Sequence, residues 1–153
     1  MQIVLFEPEI PPNTGNISRL CAATNTPLHL IKPLGFSLSD RHLKRAGLDY
    51  WHHVNLAVWE NLDAFLTGPG AGKRLVATSA RQGINLHQFS FQSEDILIFG
   101  PETRGLPPQA LELVHHCIRI PILNTVRSLN LSTAAGVVLY QALISSGGIN
   151  NLL

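Results

Sequence analysis

Ile96-Leu97-Ile98-Phe99-Gly100-Pro101-Glu102-Thr103-Arg104-Gly105-Leu106-Pro107 is the stretch on which the fold turns. Four consecutive apolar residues read as a strand buried on both faces, the mark of a central parallel strand. Two glycines, two prolines and an acid–base pair follow it directly. Glycine takes conformations that other residues resist, and proline stiffens the chain, so these residues form a shaped loop. The loop is not G-x-G-x-x-G, and Gly105 is not followed by Lys-Ser/Thr, so the dinucleotide and P-loop patterns are both absent. Read alone, the stretch is also open to the plainer reading of a strand-to-helix connection.

Outward from this strand, short β-type runs alternate with helical stretches. Strands are predicted near Ile3–Phe6, Leu28–Ile31, Val54–Val58, Leu75–Thr78, Ile96–Phe99 and Ile118–Ile120. Helices are predicted at Asn16–Thr24, Asp40–Ala46, Leu62–Leu66, Pro107–Val114 and Ser132–Ser145. Such alternation predicts an α/β fold, a mostly parallel sheet with helices on both faces. A length of 153 residues suits one domain spanning 1–153. With 45% hydrophobic and 14% charged residues the chain has the makeup of a cored globular protein, not of a disordered tail.

The compartment and charge are read from single residue types. Cys21 and Cys117 form no metal-binding pair and the N-terminus lacks the design of a secretory signal, so a reducing cytoplasm is expected. The apolar run from Thr133 to Ile144 is too short for the roughly 20 residues of a membrane span. Net charge is only +1, which gives no global signal for nucleic acid, but eight of the eleven basic residues are arginines. Arginine's planar fork suits phosphates and base stacking. The adjacent pairs His52–His53 and His115–His116 point to opposite faces on a strand, so no metal site is expected and the histidines are read as surface residues. Trp51 and Trp59 are expected to pack against the sheet.

Two more turns share the character of the first. Glu7-Pro-Glu-Ile-Pro-Pro-Asn-Thr-Gly-Asn16 follows a strand and opens a helix, where free N–H groups attract anions and Arg19 is able to join them. The segment from Arg119 through Pro121 to Arg127-Ser128-Leu129-Asn130-Leu131-Ser132 leaves a strand at a proline and ends at a hydroxyl expected to cap the last helix. Backbone groups along such a bend suit an adenine edge. Each turn also reads as an ordinary cap or connection. The last helix is apolar nearly all round, and no charge follows Arg127, so part of its cover is expected from a second subunit.

Taken together, residues 13–21 (NTGNISRLC), 99–107 (FGPETRGLP) and the 120–140 segment (IP…RSLNLSTAAGVVLY) resemble the three motifs of the SPOUT RNA methyltransferases. Within that class the chain is similar to the short members that methylate the 2′-oxygen of the anticodon wobble cytidine or uridine of tRNA. The resemblance implies a C-terminal deep trefoil knot, a homodimer formed through the C-terminal helix and knot region, and S-adenosyl-L-methionine as cofactor. It places the cofactor contacts at Thr78, Gly100, Glu102, Ile120, Ser128, Leu129 and Asn130. Arg19 is the residue expected to help the ribose hydroxyl shed its proton, with Glu102 and Asn130 orienting the reacting groups and Asn13 shaping the turn near Arg19. Arg41, Lys44 and Arg45, at i, i+3 and i+4 of one helix face, are expected to hold RNA along with Arg19. A methylase for another tRNA or rRNA position, or a silent RNA-binding module on the same fold, remain the other readings.

Overall fold

The computed structural model describes residues 1–39, 41, 45 and 50–153. Seven strands form its sheet: β1 (Gln2–Phe6), β2 (Leu28–Ile31), β3 (Leu56–Trp59), β4 (Leu75–Thr78), β5 (Ile84–Asn85), β6 (Ile96–Phe99) and β7 (His116–Arg119). Their spatial order is β3-β2-β1-β6-β4-β7-β5, and every pairing is parallel. The α-helices whose full extent lies within the described residues are α1 (Pro11–Thr24), α2 (Leu62–Thr67), α3 (Pro108–Leu111) and α4 (Leu131–Ser145).

The apolar run at 96–99 shows why the sheet is covered twice. Leu97 and Phe99 join Ile3, Leu5 and Val76 on one face, under Ile17 and Cys21 of α1 and Val138 and Leu139 of α4. Ile96 and Ile98 join Val4 and Ala77 on the other, under Phe65 of α2 and Ala110 of α3. All four residues of β6 are buried, because successive side chains of a strand point to opposite faces and here both faces are dry. At the N-terminal end of β4 and β6, the fully buried carboxylate of Asp95 receives Nε and Nη2 of Arg74 at 2.7 Å each and the Gln92 amide at 2.8 Å.

Several boundaries differ from the sequence expectation. Helix α1 starts at Pro11, five residues before Asn16, with prolines in its first turn, where their missing N–H groups cost nothing. Strand β3 begins at Leu56, β7 ends at Arg119, α3 keeps only its first turn, and the two-residue β5 carries no periodic signal at all. Asn130, not Ser132, caps α4: its Oδ1 accepts from the amides of Ser132 and Thr133 and from the Ser132 hydroxyl. Of the helix expected at 40–46, Arg41 and Arg45 are helical and exposed; Lys44 lies outside the described residues.

One histidine is not at the surface. His29, on β2, is only 7% exposed; its Nδ1 accepts from Trp59 Nε1 at 3.1 Å, and its ring lies 4.9 Å from that of Phe65. The expectation of surface histidines fails here because β2 is buried along its whole length. Burial, with a smaller contribution from the Lys73 charge, pushes this imidazole down to about 4. In the unfolded chain a histidine titrates near 6.5, so the unfolded state takes the proton first. The stability His29 contributes is therefore complete above about pH 6.5 and is lost as pH falls from there toward 4, by at most about 3 kcal/mol. Melting temperature recorded across pH 7 to 4.5 is expected to fall less steeply in His29→Gln than in the parent; parallel curves would rule out His29 as the cause.

Candidate functional site

Loops leaving the C-terminal ends of parallel strands are where such sheets hold ligands, above all where the strand order reverses. Here β1 and β6 are neighbours at that reversal, and the loops after β4, β6 and β7 converge beside them. They enclose a cleft of about 550 Å³. Thr78, Gly100, Glu102, Ile120, Ser128, Leu129 and Asn130 all line it, as does Asn13. The three turns quoted from the sequence thus meet in one place.

What fastens them is a chain of polar side chains. The Glu102 carboxylate accepts from the amides of Glu9 at 2.8 Å and Ile10 at 3.1 Å and from Asn13 Nδ2 at 3.2 Å. Asn13 Oδ1 in turn accepts from Asn130 Nδ2 at 2.9 Å, and Asn130 caps α4. A second tie runs in the opposite sense: the Glu9 carboxylate accepts from the amide and the hydroxyl of Thr103. Arg104 pairs with Glu7 at the rim.

This arrangement corrects the reading of the first turn. The start of α1 is no open anion site: its first two residues are prolines, and an anion, the Glu102 carboxylate, already sits there. A carboxylate at a helix start is favoured by the helix dipole as well as by the bonds it accepts. Asn13 is buried and hydrogen-bonds Glu102 and Asn130, so it couples the first turn to the other two. Arg19 is exposed two turns into α1, its guanidinium 4.8 Å over the Tyr50 ring, and it does not line the cleft of its own chain. Arg41 and Arg45 are likewise exposed and stand outside the lining.

Sequence reading passed over Arg81, Arg127 and Leu106 in the lining, and Glu9 and Thr103 in the ties. The available signal for Arg81 was its place just past the end of a parallel strand, β4. Trp59, as expected, packs on the sheet, edge to face with Phe65. Among the described residues no group of His, Cys, Asp or Glu is placed to hold a metal, and no helix is long and apolar enough to cross a membrane.

Glu102→Ala removes an acceptor shared by three donors that are exposed or only part-buried, and losing hydrogen bonds to a charged group costs about 1.5–3 kcal/mol, less where water replaces them. The variant is expected to melt lower and to bind S-adenosylhomocysteine more weakly in calorimetry, because the turn carrying Gly100 loses its anchor to α1. Unchanged affinity would remove Glu102 from any part in forming the cleft.

The sequence profile described as the SpoU rRNA Methylase family matches residues 1–140. A tRNA (cytidine(34)-2'-O)-methyltransferase of Methylovorus glucosotrophus (strain SIP3-4) is 51% identical over 142 residues, covering 92% of each chain. A solved structure from work on the 2-OH methylation of C/U34 on tRNA superposes with a TM-score of 0.91 at 48% identity, over 96% of both chains. An AdoMet-bound rRNA methyltransferase from Sinorhizobium meliloti superposes with a TM-score of 0.85 at 25% identity, over 94% of this chain and 55% of that one. With its parallel sheet, its three joined turns and this match over nearly the whole length, the chain belongs to the SpoU rRNA methylase family.

Proposed function

We propose that the protein is an S-adenosylmethionine-dependent tRNA 2′-O-ribose methyltransferase acting on the wobble cytidine or uridine, position 34, of the anticodon. The observation that carries this reading is the identity of about half, over nine-tenths of both lengths, to an enzyme named for that reaction. The cleft fits the cofactor. Its volume suits a ligand of that size. The Thr78 hydroxyl at its edge is shielded from solvent and has no hydrogen-bond partner among the described residues, so it awaits one from a ligand. Gly100, Ile120 and Leu129 would offer backbone groups, and Glu102 and Asn130 would keep the turns in register.

The bound cofactor supplies a methyl group on a positively charged sulfur, which the ribose oxygen displaces. The chain's own part is to align that oxygen and help it lose its proton. Positioning of this kind makes up much of the catalysis of transfer reactions. Arginine's high pKa makes it a poor free base. Arg19 instead grips the phosphate next to the target ribose, and that phosphate takes the proton. Since Arg19 is outside the lining of its own chain's cleft, the RNA or a second copy must bring the two together.

A second copy also suits α4. Val137, Tyr140 and Ile144 stay 42%, 42% and 59% exposed along one stripe, while Ala135, Val138, Leu139 and Ala142 are buried. A homodimer through this helix and the adjoining loops, where the family's trefoil knot would lie, covers that stripe. Equilibrium sedimentation is expected to give twice the mass of one chain, and a single-chain mass at micromolar concentration would exclude the dimer.

The decisive experiment is incubation of unmodified tRNA with isotopically labelled S-adenosylmethionine, followed by mass spectrometry of the nuclease fragments. The label is expected on the ribose of nucleotide 34. Label at another nucleotide, or none, overturns the proposal.

A further inference from the structure

Beside the cleft is a second cavity, of about 360 Å³, that the mechanism above does not use. Arg81, Arg119 and Arg127 all line it, and no carboxylate does. None of the three forms a salt bridge among the described residues, in contrast to Arg74 and Arg104. All three are exposed. They come from separate parts of the chain: the loop after β4, the last residue of β7, and the loop that leads into α4.

Three guanidinium groups without an acid repel one another, weakly in water and more strongly as water is excluded. Their assembly is tolerable as a surface feature and becomes favourable when an anion bridges them. One of them is already oriented: Arg119 Nε donates to Asn85 Oδ1 at 2.8 Å, which leaves its two terminal amino groups turned to other partners. Asn85 is held opposite Arg119 by the pairing of β5 with β7, so this short strand has a use in aiming the arginine. Guanidinium forks match phosphate oxygens in pairs. Ala80, Arg81, Ile120 and Arg127 line both this cavity and the cleft, so an anion held here lies at the cleft's edge.

We propose that Arg81, Arg119 and Arg127 form a phosphate pocket that grips the RNA backbone flanking the nucleotide presented to the cleft. The inference deepens the reading of the chain as a tRNA methyltransferase and rests on it. It differs from the expectation that the face carrying Arg41, Lys44 and Arg45 holds the RNA, because it fixes the strand beside the reaction centre.

The test uses the full chain, with Arg81→Gln, Arg119→Gln and Arg127→Gln singly and combined, and the triple lysine exchange as the charge-keeping control. Affinity for unmodified tRNA is measured across a salt series. Each phosphate contact contributes about 0.7–0.9 to the slope of log affinity against log salt. The triple glutamine variant is therefore expected to show a slope shallower by about 2, and the lysine variant to keep most of it. Binding of S-adenosylhomocysteine and of 5′-methylthioadenosine, which lacks the carboxylate, is expected to stay unchanged in Arg119→Gln, because Arg119 alone of the three does not line the cleft. An unchanged tRNA slope in the glutamine variant overturns the proposal. So does a loss of S-adenosylhomocysteine binding with methylthioadenosine and tRNA slope unaffected, which would make the pocket the seat of the cofactor's own carboxylate. Methyl transfer by the unaltered protein in the same tRNA preparation judges the underlying reading separately. If that transfer fails while the slope still depends on the arginines, the pocket stands and the wobble assignment falls.

Discussion

Gly100→Ala is expected to abolish the rise in melting temperature that S-adenosylhomocysteine gives the parent protein. A β-carbon at this position would stand 2.3 Å from the Leu106 amide nitrogen, 2.4 Å from the Gly105 carbonyl carbon and 2.9 Å from Gly105 Cα. All three are backbone atoms, so no side chain is able to swing aside. The loop from Gly100 to Leu106 must open instead. That loop is tied by the Gly105 amide to the Pro101 carbonyl at 2.9 Å, by Glu102 to the start of α1 and by Thr103 to Glu9. Opening it misplaces groups at the cleft, and a displacement of about 1 Å commonly costs around 100-fold in turnover. Forced overpacking also costs about 1–3 kcal/mol of stability. A ligand that binds only the native state must raise its melting temperature, so the missing shift reports the lost site and not merely a weaker fold. Gly105→Ala is the comparison: its added carbon meets nothing within 4 Å, and only the left-handed backbone, at φ +71°, opposes it. It should cost about 1 kcal/mol and keep a ligand-induced shift. A normal shift in Gly100→Ala would show that the loop yields without harm to the cleft.

Arg19→Lys is expected to lower methyl transfer by at least about 100-fold, within the range lost when help with a proton is removed. The lysine keeps the positive charge, but it cannot span two phosphate oxygens with a rigid fork. S-adenosylhomocysteine binding is expected to be unchanged, because Arg19 does not line the cleft. The split between turnover and cofactor affinity is the readout. Near-normal turnover in the lysine variant would reduce Arg19 to a point charge, and weakened cofactor binding would place it in the cleft.

The strands were legible where burial is complete. Residues 75–78 and 96–99 are runs of apolar or β-branched residues, 28–31 is such a run but for His29, and the observed strands have those limits. Boundaries failed where the local signal pointed the wrong way. Pro11 and Pro12 look like a loop, yet they open α1, since a helix start tolerates residues that lack an N–H. Ser132 looks like the cap of α4, but the cap stands two residues earlier, where Asn130 Oδ1 accepts from the amides of Ser132 and Thr133. His29 sits between Leu28 and Leu30 with no sign in its own identity that its neighbour would be Trp59.

The site was legible as three turns and not as one cleft. Glu102 finds Asn13 across 89 residues and Asn130 finds Asn13 across 117, and no spacing rule connects such positions. The arginines at 81, 119 and 127 were hidden for the same reason: strand order brings them together, whereas the basic residues at 41, 44 and 45 declare themselves by helical spacing. Local chemistry is written locally, and its assembly belongs to the topology.

The strand order also sets a timetable for synthesis. Strand β1 ends at Phe6 and has β2 on one side by residue 31, but its other neighbour, β6, begins only at Ile96. At translation speeds of about 5–20 residues per second, roughly 5–18 seconds separate the two. During that interval β1 leaves the ribosome with one edge open, and an unpaired apolar edge is a template for other chains. The nascent chain therefore depends on whatever shields that edge until the strand preceding the Gly100 loop arrives, and slower decoding between β3 and β6 should cost soluble yield without altering a single contact of the finished protein.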